Sequence, residues 1–471
     1  MFILSDAVAM GRSILSQLDH GLPNSITVED IMLNTKQTQN ILSNISDSSL
    51  GNYENMTDKR HIMAMKCLAK LELLIYLVNP DLQPLITLKM VNISIDHGMC
   101  STSPIGFAYF GGMLVKLGEM SDGYRFSKLA KVLLEKGGRK EIAGDVIWTT
   151  SEVLSYYEPF QTVNKYRVHG QITALAAGDV QSACALKMSY CTTLLWAGFN
   201  LKTVQEALSD AGCYMRAQNN LSLYSLMQLV QQSVLVLLGE ADKFEVAHSQ
   251  LTNPIEIVVF CICKIYLSLV LNAYDDVRQC AENFLKFRGS YWFANSSRAV
   301  MEFFMGLAAF RIYRETGEAQ WLERGKQSKS MLQLWAEKGS MWNFQHKHIL
   351  LEAEDLYSTC DFVNARLAYR KAITVARMHK YIHDEALACE LAGYFYLRLD
   401  MATESLQHFT FAHEKYVEWG AVSKVDQINV FMQETFSSVN IASLGSNMST
   451  SVTAHEQNCN NSQDSRKRRV P

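Results

Sequence analysis

The chain has 471 residues, a net charge of −3, 48% apolar residues and 19% charged residues. This composition excludes a disordered chain, since the apolar share is large enough to form a substantial core. The length exceeds the ~250–300 residues at which one compact core stops growing, so the chain forms several domains or an array of repeated units.

Charge, cysteine and signal patterns predict a soluble, cytoplasmic protein. Lysine and arginine are scattered through the chain, which argues against a nucleic-acid-binding groove. The eleven cysteines form no C-x-x-C pair, as expected for reduced thiols. The N-terminus has no basic segment before Asp6 and is a poor signal peptide. The most apolar window, Ile257–Leu271, contains Lys264 and is shorter than the ~20 residues of a membrane span, so no span is predicted.

Three segments follow one another along the chain. Residues 1–57 are predicted to form an N-terminal helix and a polar loop, with one short helix near Val28–Leu42. Residues 58–437 show helical periodicity, and Pro80 and Pro84 predict an inter-helix turn within 78–87. Residues 438–471 are rich in Ser, Asn, Thr and Gln and are predicted to be disordered.

Within the periodic segment, small and large residues recur at fixed spacing. Two units share this pattern at an offset of 40 residues, and an earlier unit repeats it; the sets are Ala353, Leu356, Ala365, Tyr369 and Ala372, then Gly393, Tyr396, Ser405, Phe409 and Ala412, and upstream Gly111, Leu114, Gly123, Ser127 and Ala130. Small residues let paired helices approach closely. The spacing resembles the tetratricopeptide repeat of about 34 residues.

These units predict an all-α fold, a right-handed superhelical solenoid of divergent tetratricopeptide-like helix pairs. Turns are expected at Thr359–Val363 and at Lys380–Asp384. Glu352 and Ala392 depart from the repeat pattern, because a larger aliphatic residue usually occupies their positions.

Motifs for catalysis, phosphate binding or metal binding are incomplete. Gly118 and Gly123 have the spacing of a nucleotide loop, but no Lys-Ser/Thr follows them. His413-Glu414 lacks the second histidine of a zinc-protease helix. The pairs His346/His348 and His379/His383 either point to different faces or flank a predicted helix end. The sequence therefore predicts no enzyme activity, no metal site and no cofactor.

The stretch from Leu334 onward resembles the helical-repeat region of very large multidomain signalling kinases. The resemblance covers roughly residues 10–430. The matching pieces, in the family's order, are Lys89-Met90-Val91-Asn92-Ile93-Ser94 with His97-Gly98, Gly123-Tyr124-Arg125-Phe126, Asn343-Phe344 with His346-Lys347-His348, Leu351-Glu352-Ala353-Glu354, Glu385-Ala386-Leu387-Ala388 with Glu390-Leu391-Ala392, and Tyr416 with Trp419-Gly420-Ala421.

In that family, kinase-like and ATPase domains precede the repeats, and GAF and histidine-kinase modules follow them. These catalytic parts are absent from the 471 residues, so none of their catalytic residues carries over. The resemblance implies a module that regulates or positions other proteins.

Three functions remain open at this point. The first is a non-catalytic module that binds a protein or peptide on its concave face, with candidate residues Lys347, Glu354, Tyr357, Glu390, Tyr394 and Arg398. The second is a fragment of a longer signalling kinase or ATPase. The third is a small-ligand sensor lined by interior tyrosines and histidines.

The C-terminal run Arg466-Lys467-Arg468-Arg469 is a candidate for nuclear import or for an electrostatic contact. The sequence identifies neither the partner nor the oligomeric state.

Overall fold

The structure is a computed structural model that describes residues 2–23, 25–137, 140–242, 244, 251, 254–287 and 296–436. Within these ranges the regular elements are 21 α-helices and two 3₁₀ turns, at Pro80–Leu82 and Lys140–Ile142. Asn55 and Met99 form an isolated β-bridge. The described part of the chain is therefore all-α, as the sequence predicts.

The first eleven helices are α1 Phe2–Gln17, α2 Val28–Ser43, α3 Asp47–Gly51, α4 Lys59–Val78, α5 Gln83–His97, α6 Ser103–Lys116, α7 Met120–Gly137, α8 Ala143–Leu154, α9 Phe160–Ala176, α10 Val180–Trp196 and α11 Leu201–Ala217. The remaining ten are α12 Leu221–Leu238, α13 Pro254–Val270, α14 Val277–Phe287, α15 Ser296–Thr316, α16 Ala319–Lys338, α17 Met341–Ser358, α18 Phe362–Met378, α19 Ile382–Arg398, α20 Ala402–Trp419 and α21 Val422–Phe436.

Many neighbouring helices are joined by short turns with one left-handed residue followed by a cap. Gly178 (φ 75°) precedes Asp179, whose side chain accepts from the Ser182 backbone N–H at the start of α10. Cys360 (φ 63°) precedes Asp361, which caps α18 in the same way. Such turns reverse the chain within a few residues, so consecutive helices pack antiparallel.

Each helix from α4 to α21 contacts the next, and alternate helices also contact one another. The alternate series α6, α8, α10 and α12 is continuous, and so is the series α13, α15, α17 and α19. Three further contacts join elements far apart in sequence: α7 with α16, α10 with α15, and α12 with α21. Helix α21 thus packs against a helix nearly two hundred residues before it.

Two large clusters of buried apolar residues hold the helices together. One includes Val8 and extends to Val146, and so belongs to α1–α8. The other extends from Val115 to Ile428 and includes residues of α12, α13, α15, α17 and α19. Helices α15 and α17 carry most of their large apolar side chains inside this cluster.

Small residues lie where paired helices come closest, as the repeat spacing predicts. A Cβ at Gly111 of α6 would lie 2.3 Å from Ser127 Oγ and 2.8 Å from Gly123 O in α7. A Cβ at Gly393 of α19 would lie 2.8 Å from Phe409 of α20. The recurring glycines therefore mark helix–helix contacts.

Replacing Gly111 by alanine is expected to destabilise the protein by about 2–3 kcal/mol, since the added methyl group would overlap α7. Gly137→Ala is the matched control, because no atom lies within 4 Å of a Cβ there. The control is expected to be neutral or slightly stabilising. Chemical denaturation measures both, and equal stability of the two variants would contradict the prediction.

The predicted local elements agree with the structure except near residue 84. α2 confirms the helix near Val28–Leu42, and the turns expected around residues 359–363 and 380–384 end before Phe362 and Ile382. Pro84, in contrast, lies inside the first turn of α5 and not in a loop. Proline is tolerated there because the first N–H groups of a helix have no intrahelical acceptor.

The predicted tail at 438–471, with its basic run at 466–469, lies outside the described residues. In the described part, one helix, α12, is long and apolar enough to cross a membrane on those two criteria, and 39% of it is buried. Buried helices of soluble proteins meet the same criteria. α12 packs against α10, α11, α13 and α21.

Candidate functional site

Three of the six residues predicted to face a concave groove lie in the interior. Lys347, Glu354 and Glu390 are 1%, 2% and 1% exposed. The prediction that these three residues face an open groove is wrong, because each lies in the interior and is paired with an oppositely charged group of the same chain. Of the other three, Tyr357 and Tyr394 are half-buried and Arg398 is exposed.

Lys347 belongs to a buried cluster between α17 and α19. Its ammonium group contacts the Asp384 carboxylate, and Asp384 Oδ2 lies 2.8 Å from His346 Nε2. His383 Nε2 lies 3.6 Å from Asp384 Oδ1. Tyr381 lies beside the cluster, with its ring centroid 4.4 Å from Lys347 Nζ.

Burial and charge determine the protonation of this cluster. Burial, reinforced by the Lys347 ammonium group, lowers the pKa of His346 to about 3, and burial lowers the pKa of His383 to about 4. Burial would raise the pKa of Asp384, but His383, Lys347 and His346 hold it below its usual range. Burial lowers the pKa of Lys347, and Asp384 opposes that change. Near neutral pH the cluster therefore contains one carboxylate and two neutral imidazoles beside Lys347.

Glu354 forms a second interior ion pair, with Arg314 of α15. Arg314 NH2 lies 2.7 Å from Glu354 Oε2, and the Tyr369 hydroxyl donates to the other carboxylate oxygen. The Arg314 guanidinium carbon lies 4.7 Å from the centre of the Tyr357 ring. Glu354 and Tyr357 thus join α15, α17 and α18.

Glu390 lies at the centre of a third network. Lys424 Nζ is 2.6 Å from Glu390 Oε1, and the Tyr416 hydroxyl donates to Oε2 over 2.9 Å. Asn272, which follows α13, donates to Glu390 over 2.7 Å and to the Tyr394 hydroxyl over 2.9 Å. Burial lowers the pKa of Lys424, and Glu390 opposes that change. The network ties α19, α20 and α21 to the end of α13.

A fourth interior network surrounds Arg167 of α9, a residue that the sequence did not single out. Its guanidinium group donates to Glu152 of α8 over 3.0 Å and to Thr193 of α10 over 2.5 Å. The second oxygen of Glu152 accepts from the backbone N–H of Ser296 at the start of α15 over 2.9 Å. Sequence spacing gives no signal for this network, since its members come from four separate helices.

Charge pairs in the interior are more typical of a structural role than of an exposed binding face. Each of the four networks pairs a buried charge with an opposite charge of the same chain. Within the described residues, no group of three or more His, Cys, Asp or Glu side chains is arranged to hold a metal ion.

Helix α9 presents large apolar side chains to solvent. Val168, Ile172 and Leu175 are 41%, 62% and 42% exposed. They stand four and three residues apart and so lie on one face of the helix. Arg167 and Ala174, which directly precede Val168 and Leu175, point inward and are fully buried. We call Val168, Ile172 and Leu175 the α9 stripe.

A surface pocket of about 180 Å³ lies between α16, α17 and α18. Its lining includes Glu337, Ile349 and Lys371. Glu352, which the sequence analysis noted as a departure from the repeat pattern, lines it together with His348, one helical turn earlier. Burial lowers the pKa of His348. The acidic side chain at position 352 thus faces this pocket and not a helix contact.

No protein-family model matches the chain, and no curated protein matches it.

Proposed function

We propose that the chain is a non-catalytic helical-repeat module that binds another protein, and that its helix pairs form a tetratricopeptide-like superhelical solenoid. The contacts between alternate helices support the solenoid arrangement, because stacked helix pairs bring the first helices of successive units together. The observation that carries the binding function is the α9 stripe.

The α9 stripe has the form of a partner-binding helix face. Three large apolar side chains at positions i, i+4 and i+7 are the anchors by which helices dock into apolar grooves. Lys165 and His169 lie exposed on the same helix, so polar groups border the apolar face. An apolar patch with a polar border is typical of protein-interaction sites.

Helices α17, α19 and α21, which carry the buried ion pairs, are less suited to binding a partner. Their charged groups bind each other, and a partner that entered between them would have to break buried ion pairs, each at a cost of roughly 3–5 kcal/mol. The pocket beside Glu352 holds about 180 Å³, below the ~300–1,000 Å³ of most small-molecule sites. The volume of this pocket favours protein binding over the sensing of a small ligand at that place.

The resemblance to repeat regions of signalling kinases suggests the class of partner. We infer that the module regulates a catalytic domain, either in a longer product of the same gene or in a separate chain. Sequencing the full transcript distinguishes the two: an open reading frame that continues into a kinase or ATPase domain supports the first.

The binding function is tested by replacing Ile172 with glutamate. Partners captured from native cell extract by crosslinking, and quantified by mass spectrometry, are expected to fall at least about tenfold, since a charge at the centre of an apolar contact must be desolvated. Leu367→Glu is the matched control, because Leu367 is 61% exposed on α18. Identical partners for wild type, Ile172→Glu and Leu367→Glu would contradict the proposal.

A further inference from the structure

Three imidazoles from three different elements meet where the N-terminal helix packs on the rest of the molecule. His20 follows α1, His61 lies in the first turn of α4, and His97 is the last residue of α5. His20 Nε2 lies 2.8 Å from His61 Nδ1. The His61 and His97 rings stack with centroids 3.7 Å apart and planes 11° from parallel.

This geometry limits the positive charge that the three histidines can carry. A hydrogen bond between two ring nitrogens needs one N–H donor and one unprotonated acceptor. If His20 and His61 were both imidazolium, both nitrogens would carry protons and the bond would be lost. A charged His97 stacked on a charged His61 would add a repulsion at short range.

The charged side chains around the three histidines do not neutralise the positive charge that further protonation of the rings would add. Lys89 of α5 and Arg60 of α4 are positive, and Asp58 and Asp19 are negative. Arg60 is already paired with both carboxylates, at 3.3 Å from Asp58 and 3.8 Å from Asp19. Among the described residues, the carboxylate that contacts a histidine of this group is that of Asp58, 3.9 Å from His61 Nε2.

The pKa of His20 agrees with this charge balance. Burial lowers it, Lys89, His61 and His97 lower it further, and only Asp19 raises it. A histidine whose pKa is lower in the docked state binds fewer protons there than in the undocked state. Docking is therefore weakened as the pH falls through the ordinary histidine value of about 6.5.

The histidines lie at the C-terminal end of α1, which packs against α4. Among residues 6–17 of α1, the large apolar residues in the buried core are Val8 and Leu15. The helix also comes close to α4, since a Cβ at Gly11 would lie 2.5 Å from Leu71 Cδ2. Lys89 Nζ donates to the backbone oxygen of Gly21 over 3.1 Å and fixes the segment after α1.

We propose that His20, His61 and His97 form a pH-sensitive latch that holds α1 against α4 near neutral pH and releases it below about pH 6. Release breaks the His20–His61 hydrogen bond and uncovers the part of α4 that contains Leu71. The latch is independent of the α9 stripe and of the partner proposed for it.

Hydrogen exchange of the full-length chain tests the latch. Protection of the α1 amides, corrected for the intrinsic exchange rate at each pH, is expected to fall at least about tenfold between roughly pH 7.5 and pH 5.5, while α17–α20 keep theirs. In His20→Gln the same fall should be less than about twofold, because the amide keeps a hydrogen-bonding group without titrating. His169→Gln, which changes an exposed histidine on α9, should show the same fall in α1 protection as wild type.

Equal α1 protection at both pH values in wild type, or an equal fall in wild type and His20→Gln, would overturn the proposal. If α1 of His20→Gln is already unprotected near pH 7.5, His97→Gln decides, because His97 is exposed and its loss removes one of the three charges. The release midpoint should then move to lower pH by about half a unit. An unchanged midpoint rules the latch out.

Discussion

Replacing Asp384 with asparagine is expected to lower the free energy of unfolding by about 3–5 kcal/mol, since the Lys347 ammonium group would remain buried without a counter-charge. Lys347 and Asp384 are 1% and 2% exposed at their side chains, so solvent cannot compensate. Asparagine also cannot accept from Lys347 and His346 as an anion does. Urea denaturation followed by circular dichroism, with hydrogen exchange of α17 and α19, measures the loss.

A surface ion pair on α20 provides the control. Lys415 Nζ lies 2.9 Å from Glu418 Oε2, and the two side chains are 29% and 60% exposed. Lys415→Gln should therefore cost less than about 1 kcal/mol. The double variant Lys347→Met/Asp384→Leu should recover most of the stability, because apolar residues of similar size can replace a buried pair. A cost below about 1 kcal/mol for Asp384→Asn would contradict the prediction.

Replacing Arg167 with leucine is expected to have an effect of similar size, about 3–5 kcal/mol. The substitution leaves the Glu152 carboxylate buried, and Thr193 loses a charged hydrogen-bond partner. Glu152 would keep its bonds from Ser296, which are too few to stabilise an isolated charge in the interior. Protection of the α8 and α15 amides should fall together, because the network joins both helices.

Lys187 and Asp210 give the matched comparison for Arg167. They join α10 to α11 at 2.6 Å, but Asp210 is 73% exposed. Lys187→Gln is expected to change stability by less than about 1 kcal/mol. If Arg167→Leu costs no more than Lys187→Gln, the buried network contributes little to the fold, and the packing of apolar side chains accounts for it.

The local structure could be predicted from the sequence because it depends on residues close together in the chain. The recurrence of Gly111, Ala353 and Gly393 marks positions at which helices approach, and the structure places all three in the buried interior. Turn positions near residues 360 and 380 follow from the same spacing. Pro84 is predicted in a turn but lies in the first turn of α5, because proline favours both turns and first helical positions.

The candidate site could not be predicted in the same way. Periodicity shows that Lys347, Glu354 and Glu390 share a face with apolar neighbours, but not whether that face meets solvent or other helices. Lys347 and Asp384 are 37 residues apart, and His20 and His61 are 41 apart. Neither spacing belongs to any metal, catalytic or capping motif. Such pairs can be predicted only when the packing of all the helices is known.

Contacts between distant parts of the chain also determine when this protein can fold. Asn200 bonds to the backbone of Glu418, 218 residues later, and Asn343 bonds to that of Ser155, 188 residues earlier. Helical-repeat arrays with only nearest-neighbour contacts can nucleate anywhere and tolerate removal of a terminal unit. Here α12 stays partly uncovered until α21 has been synthesised, so folding should be slow and the unfinished chain prone to aggregation. The separate apolar core of α1–α8 can form earlier, while the ribosome is still making the rest.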